Sequence, residues 1–191
     1  MVAFAVMVDM DQTLIEAVGD DTPARYKKSL GKIIKYTGYK KKKGIDVPME
    51  CTVKVAIRPN AIEMVRNIVA NGHTYILWSA GSYEYVHSVM DYFSGIAQVK
   101  PEVIYTRLDM VMFEDNMYKS MTSRGFALNE FIILEDNPKL VLPKERNRVI
   151  RVEPWEYEDT QDTDMNWVCQ LLQMYAFVQP APTRRSVALI G

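Results

Sequence analysis

Short apolar runs in this chain end abruptly in chemical residues. "VAFAVMV" (2–8) stops at Asp9 and Asp11, "TYILW" (74–78) at Ser79, and "FIIL" (131–134) at Glu135, Asp136 and Asn137. A continuous apolar run of this length, bounded by polar residues, is the pattern of a strand covered on both faces. "RVIRV" (148–152) and part of 97–107 read as further strands. Helical signals lie between them. After "RPN", Ile62, Val65, Ile68 and Val69 recur at helical spacing up to Gly72. A second helix, about 83–93, begins behind Ser82 as its N-cap, and a third, near 163–177, is acidic at its start and apolar later. Strands alternating with helices predict an α/β domain built on a parallel sheet. Ligands of such sheets bind at the carboxyl ends of the strands, where the chemical residues stand here.

The rest of the chain is less patterned. Residues 17–50 are rich in Gly, Lys, Tyr and Asp and read as an irregular excursion with short hairpin pieces, before a strand at "TVKVAI" (52–57). Residues 109–121 also read as irregular. The expected organisation is one domain over 1–178 and a loosely held tail, 179–191.

Several function classes are disfavoured. The formal net charge is -1, so no global field draws the chain to nucleic acid or anionic lipid. The basic run "YKKKKG" (39–44) reads as a solvated loop. With two histidines, His73 and His87, a zinc site on several His ligands is out of reach. Cys51 and Cys169 lie far apart and suit a reducing compartment, so an intracellular protein, nuclear or cytoplasmic, is expected. No apolar run reaches membrane-spanning length, and the opening "MVAFAVMV" lacks a basic leader and a cleavage site. Cys51 is separated from Arg58 by six residues, which breaks the C-x₅-R spacing of a thiol phosphatase. Neither GxGxxG nor GxxxxGK[ST] is present.

The strand-end residues suit phosphoryl chemistry. Sheet topology can bring Asp9 and Asp136 together, and converging carboxylates repel unless a cation lies between them. A hard divalent ion with oxygen ligands, usually Mg²⁺, resolves that and recruits phosphate oxygens. One carboxylate can attack phosphorus while a second moves the proton. A hydroxyl and an ammonium, Ser79 and Lys119, would hold the other phosphoryl oxygens.

Six ordered segments then carry a resemblance. "DMDQTL" (9–14) resembles the DxDxT motif of the haloacid dehalogenase superfamily. "VAIRPNAIEMV", "YILWSAGSYEYVHSVMDYF", "YTRLDMVMFEDNMYKSM", "FIILEDNPKLV" and "PWEYEDTQDTDMNWVCQLL" resemble, in order, successive segments of the small C-terminal-domain phosphatases, the NLI-interacting-factor-like branch. The resemblance runs from about residue 2 to 177. It implies a Rossmann-like central parallel sheet flanked by helices, with a small β insert after the second motif, about 95–118.

Carried over by position, the resemblance makes Asp9 the nucleophile and Asp11 the general acid and base. Thr13 supports the loop and the phosphate site. Ser79 and Lys119 bind phosphate, and Arg107 reaches substrate. Asp9, Asp11 (through its backbone carbonyl), Asp136 and Asn137 hold Mg²⁺. Glu135 adds a carboxylate in "EDNP", and the choice between Glu135 and Asp136 as main acidic ligand stays open. Met112 and Phe113 suit an apolar substrate pocket or the core equally. The implied partner is a phosphorylated protein or peptide, phosphoserine or phosphothreonine in a tail such as the RNA polymerase II repeats, with no membrane and no direct nucleic-acid binding. A nucleotide or polynucleotide-end phosphatase is the same-chemistry alternative. A non-catalytic phosphopeptide-binding pseudophosphatase is the other.

Overall fold

The structure is a computed structural model that describes residues 3–19, 31–42, 44–157 and 161–178, with side chains to residue 173. Its strands are β1 (Ala5–Val8), β2 (Ile15–Gly19), β3 (Lys32–Lys42), β4 (Ile45–Ile57), β5 (Thr74–Trp78), β6 (Val103–Tyr105), β7 (Val111–Phe113), β8 (Asn116–Tyr118), β9 (Phe131–Glu135) and β10 (Val149–Arg151). Its α-helices are α1 (Ala61–Ala70), α2 (Tyr83–Ala97) and α3 (Asp164–Val178). The expected tail, 179–191, and Lys43 of the basic run lie outside the described residues.

The central sheet has five parallel strands in the order β10-β9-β1-β5-β6. Its apolar runs split by period two. Val6, Val8, Tyr75, Leu77, Ile132 and Leu134 face one core, which α1, α2 and α3 cover. Ala5, Met7, Ile76, Trp78, Phe131 and Ile133 face the other, closed by Met121 and Val141 from irregular segments. Both faces are therefore buried, which is why the strands read as unbroken apolar runs.

β1 lies between β5 and β9. The chain reaches its two neighbours by separate excursions, so the carboxyl end of β1 is the crevice such sheets use for ligands.

α1 buries Ala61, Met64, Val65 and Ile68, whereas Val69 from the expected stripe is 43% exposed. It ends as expected at Gly72, φ +76°. α2 continues to Ala97 because Phe93, Ser94 and Ala97 remain buried, and Gln98 closes it in the left-handed region. Ser82 occupies the N-cap position without a side-chain cap hydrogen bond.

Two stretches differ from expectation. The region read as an irregular excursion with short hairpin pieces, 17–50, contributes to a three-stranded antiparallel sheet, β2-β4-β3, whose one long β3–β4 hairpin pairs Lys32 with Val55 through Lys42 with Ile45. The expected insert, 95–118, is divided: its start completes α2, β6 joins the central sheet, and only β7 and β8 form a separate hairpin. Met112 and Phe113 on that hairpin are 72% and 45% exposed, so neither is core. Among the described residues, no helix is long and apolar enough to cross a membrane.

Candidate active site

Asp9 follows β1 directly, and its N–H donates to Leu134 O at 3.0 Å, tying the loop to β9. The next residues turn tightly: Leu14 N and Ile15 N both reach Met10 O, and Gln12 takes φ +59°. Arg58 pins this turn from below. Its Nη1 donates to Gln12 O and Thr13 O, while Nε and Nη2 pair with Asp162 at 2.6 and 2.9 Å. Arg58 is 2% exposed, so its role is to fix the loop. Burial pushes the Asp162 carboxyl up, but the hydrogen bond and charge of Arg58 outweigh it, and the group lies below its usual value.

The turn leaves Asp9 facing Lys119, which arrives just after β8. The Lys119 ammonium donates to Asp9 Oδ1 and, at 2.7 Å, to Glu135 Oε2. Lys119 is fully buried. Burial alone favours a neutral amine, yet the charges of Asp9 and Glu135 override it and hold Lys119 protonated.

A second group forms around Asp11. Ser79 Oγ donates to Asp11 Oδ2 at 3.1 Å and accepts from Gly81 N at 3.0 Å. The Tyr85 hydroxyl donates to Asp11 Oδ1. Gly81 makes the approach of Tyr85 possible, because a Cβ there would lie 2.7 Å from the tyrosine ring. Burial, then the charge of Asp9, raises the Asp11 carboxyl above its ordinary value, against the lowering effect of the Tyr85 and Ser79 hydrogen bonds. The Tyr85 hydroxyl is itself driven up by burial and by Asp11, so it remains a donor.

Asp9, Glu135 and Asp136 each offer a carboxylate oxygen, all within 4.8 Å of one another. Thr13, fully buried, donates to Asp136 Oδ1 at 3.3 Å. Burial and the neighbouring Asp9 push Glu135 up to about 8 and Asp136 up to about 6. Three carboxylates face one ammonium, which leaves an excess of negative charge. That donor set, hard oxygens whose raised carboxyls show a shortage of positive charge, fits a divalent cation such as Mg²⁺.

The expected residues thus divide. Asp9, Asp11, Ser79, Lys119, Thr13 and Asp136 converge at the carboxyl ends of β1, β5 and β9. Asn137 follows Asp136 directly. It is exposed at the start of a 3-10 turn, Pro138–Leu140, and its N–H donates to Glu135 Oε1 at 3.3 Å. Glu135, the last residue of β9, is fully buried and offers a carboxylate oxygen beside that of Asp136, so both residues of the open choice stand in the cluster. Arg107 is exposed, and its Nε donates to Ala80 O at 2.7 Å, which holds it beside the Ser79 loop. Tyr85, on the first turn of α2, is a site residue that sequence spacing did not single out.

A groove of about 640 Å³ runs between β3–β4 and α2, lined by Lys35, Tyr36, Met49, Tyr83, His87 and Asp91, among others. Tyr36 packs 5.5 Å from Tyr85, so the groove starts beside the Asp11 group.

A family model described as NLI interacting factor-like phosphatase matches residues 4–181. The fission yeast RNA polymerase II CTD phosphatase Fcp1, solved as a point variant bound to beryllium fluoride, superposes with a TM-score of 0.62 at 13% identity, over 93% of this chain and 51% of that one. A second structure, of Fcp1 described as an essential RNA polymerase II CTD phosphatase, gives 0.62 at 14% identity, over 92% and 48%. At these identities the likeness is one of fold, and the chain spans about half the length of either solved chain. No curated protein matches the sequence.

Proposed function

The chain belongs to the NLI interacting factor-like phosphatase family, and from that premise we propose that it hydrolyses phosphoserine or phosphothreonine esters in an extended peptide through an aspartyl phosphate on Asp9. The observation that carries the reading is Lys119, buried between Asp9 and Glu135 at the strand ends. An ammonium fixed there neutralises an incoming phosphoryl group without reorganisation.

The steps balance on this chain's own groups. An Asp9 oxygen forms the bond to phosphorus as the ester bond breaks, and Asp11 gives its proton to the departing hydroxyl. The raised Asp11 carboxyl suits that role, because it must hold a proton at the outset. Asp11 then takes a proton from water, which attacks phosphorus and frees Asp9 and inorganic phosphate. Ser79 and Tyr85 orient Asp11 throughout. Asp9, Glu135 and Asp136 are the residues proposed to hold Mg²⁺, with the Asp11 backbone carbonyl and Asn137 beside them. The ion, when bound, supplies neutralising charge to the phosphoryl oxygens. Arg107, held beside the Ser79 loop by its bond to Ala80 O, is the residue proposed to meet the substrate flanking the phosphate.

The peptide preference rests on the groove beside Tyr36, which offers room for an extended chain. The RNA polymerase II tail repeats are the proposed model substrate, by analogy with the two solved Fcp1 structures, which are RNA polymerase II CTD phosphatases. The test is mass-spectrometric capture of phosphate on Asp9 after rapid quench, with Asp9→Asn as control. Absence of the adduct together with full turnover by Asp9→Asn sinks the mechanism. A panel of phosphopeptides, nucleotides and phosphorylated polynucleotide ends decides the substrate class, and faster turnover of the last two overturns the peptide reading.

A further inference from the structure

Glu145 is a fully buried carboxylate outside the acidic cluster. It lies in the 3-10 segment Pro143–Arg148, behind the second core. Its Oε1 accepts from Ser120 Oγ at 2.7 Å, Thr122 Oγ1 at 2.6 Å and Thr122 N at 3.3 Å. Its Oε2 accepts from Met121 N at 2.8 Å. Every one of these donors belongs to the three residues that follow Lys119 in the chain.

The residues just before that segment grip Lys119 itself. Lys119 N donates to Leu140 O at 2.8 Å, and Leu142 N donates to Lys119 O at 3.0 Å. Residues 140–145 therefore hold the lysine backbone on one side and the loop leaving it on the other. Met121, pinned by Glu145, is fully buried in the second core. A burial of carboxylate this complete is costly unless its oxygens are satisfied. Here they are satisfied entirely by the loop that delivers the ammonium.

We propose that Glu145 is the positioning residue for Lys119, fixing where the ammonium stands between Asp9 and Glu135. This inference rests on Lys119 acting at the phosphate site. Glu145 touches neither substrate nor reacting atoms; it acts through the 120–122 loop. The 110 residues separating Lys119 from Asp9 give the ammonium no local restraint, so its precision comes from this non-local anchor.

Glu145→Gln is the first test. An amide keeps the shape but replaces one acceptor oxygen by a donor, and each carboxylate oxygen faces a backbone N–H that cannot reverse. Misplacement of a catalytic group by about 1 Å can cost about 100-fold in rate. The expected result, well below the melting temperature, is a kcat loss of about 10- to 100-fold on an aryl phosphate. In a Lys119→Arg background, where the cation is already displaced, Glu145→Gln should cost no further kcat while still lowering the melting temperature. A purely structural anchor would lower the melting temperature alone, or reduce kcat by the same factor in both backgrounds. Either outcome overturns the inference. If Glu145→Gln does not fold, Thr122→Val, which removes one hydroxyl donor, is read in the same cycle. Parent-level kcat in Glu145→Gln beside an inactive Asp9→Asn defeats this inference alone. An active Asp9→Asn defeats the proposed site and the inference together.

Discussion

The Lys119 ammonium donates to Glu135 Oε2 at 2.7 Å in a position where both side chains are shut away from solvent. The same ammonium bonds Asp9, so one buried cation serves two strand ends. Removing it leaves Asp9 and Glu135 buried without compensation. Lys119→Met should therefore destabilise the protein by about 3–5 kcal/mol in EDTA at neutral pH, measured by urea unfolding. Aryl phosphate turnover should fall by at least about 100-fold. A stable Lys119→Met variant would mean that the carboxylates relax into water, contrary to the packing seen here.

The acidic cluster sets a pH dependence with a definite sign. Asp136 is raised from 3.8 to about 6 and Glu135 from 4.5 to about 8. An acid whose folded pKa is raised binds more protons folded than unfolded, so stability falls as pH rises between the two values. The metal-free protein should lose stability from about pH 4 to about pH 8 through these groups. Mg²⁺ competes with those protons, so it should raise the melting temperature more at pH 8 than at pH 5. EDTA should abolish turnover and Mg²⁺ restore it. Scanning calorimetry of the EDTA-treated protein across this range is the measurement; a Mg²⁺ effect larger at pH 5 would contradict the assignment.

Arg58 gives the opposite sign. Its partner Asp162 is held below the ordinary carboxylate value, so the pair stabilises the fold above that value and loses its effect as pH falls through the depressed one. Arg58→Leu should cost about 3–5 kcal/mol at pH 7. The gap between variant and parent should narrow under acid conditions. Equal urea midpoints at pH 7 would show that the Asp9–Ile15 loop holds without its clamp.

The central sheet was legible because burial on both faces leaves unbroken apolar runs, as in Val6 to Val8 or Ile132 to Leu134. The strand ends then exposed Asp9, Ser79 and the acidic residues after β9. The β3–β4 hairpin was not legible for the complementary reason. Ile33, Tyr39, Ile45 and Val47 are exposed among lysines, so no alternation marks a buried face. The choice between Glu135 and Asp136 stayed open in the sequence because one residue decides whether a side chain ends the strand or begins the next turn, and the fold brings both carboxylates into one cluster. Tyr85 and Glu145 were invisible to spacing. Each acts on a residue at least 24 positions away in the chain, and only the fold reports that.

Tyr75 offers a test of packing independent of the site. It is 2% exposed, and among the described residues its hydroxyl has no hydrogen-bond partner. Burial accordingly drives that hydroxyl far above the ordinary phenol range. Leaving a buried hydroxyl unsatisfied costs about 1–3 kcal/mol, and its removal leaves only a small void. Tyr75→Phe should stabilise the protein, with a higher urea midpoint and an unchanged denaturant slope. A lower midpoint would reveal that the hydroxyl has a partner.

Tyr85 bears on how Asp11 would divide its two proposed tasks. In the proposed mechanism Asp11 is protonated to help the ester leave and ionised to activate water. Burial and Asp9 favour the proton; the Tyr85 and Ser79 hydrogen bonds favour the charge. Tyr85→Phe deletes one donor without changing the ring, so the Asp11 carboxyl should rise further. The alkaline limb of kcat/KM, which reports the protonated acid, should move to higher pH. The hydrolysis of the phosphoenzyme, which needs the ionised form, should slow at the acid end, and phosphate should accumulate on Asp9 there. Rapid-quench measurements across pH separate these two effects. An alkaline limb that stays in place, with no accumulation, would show that Tyr85 packs against Asp11 without tuning it.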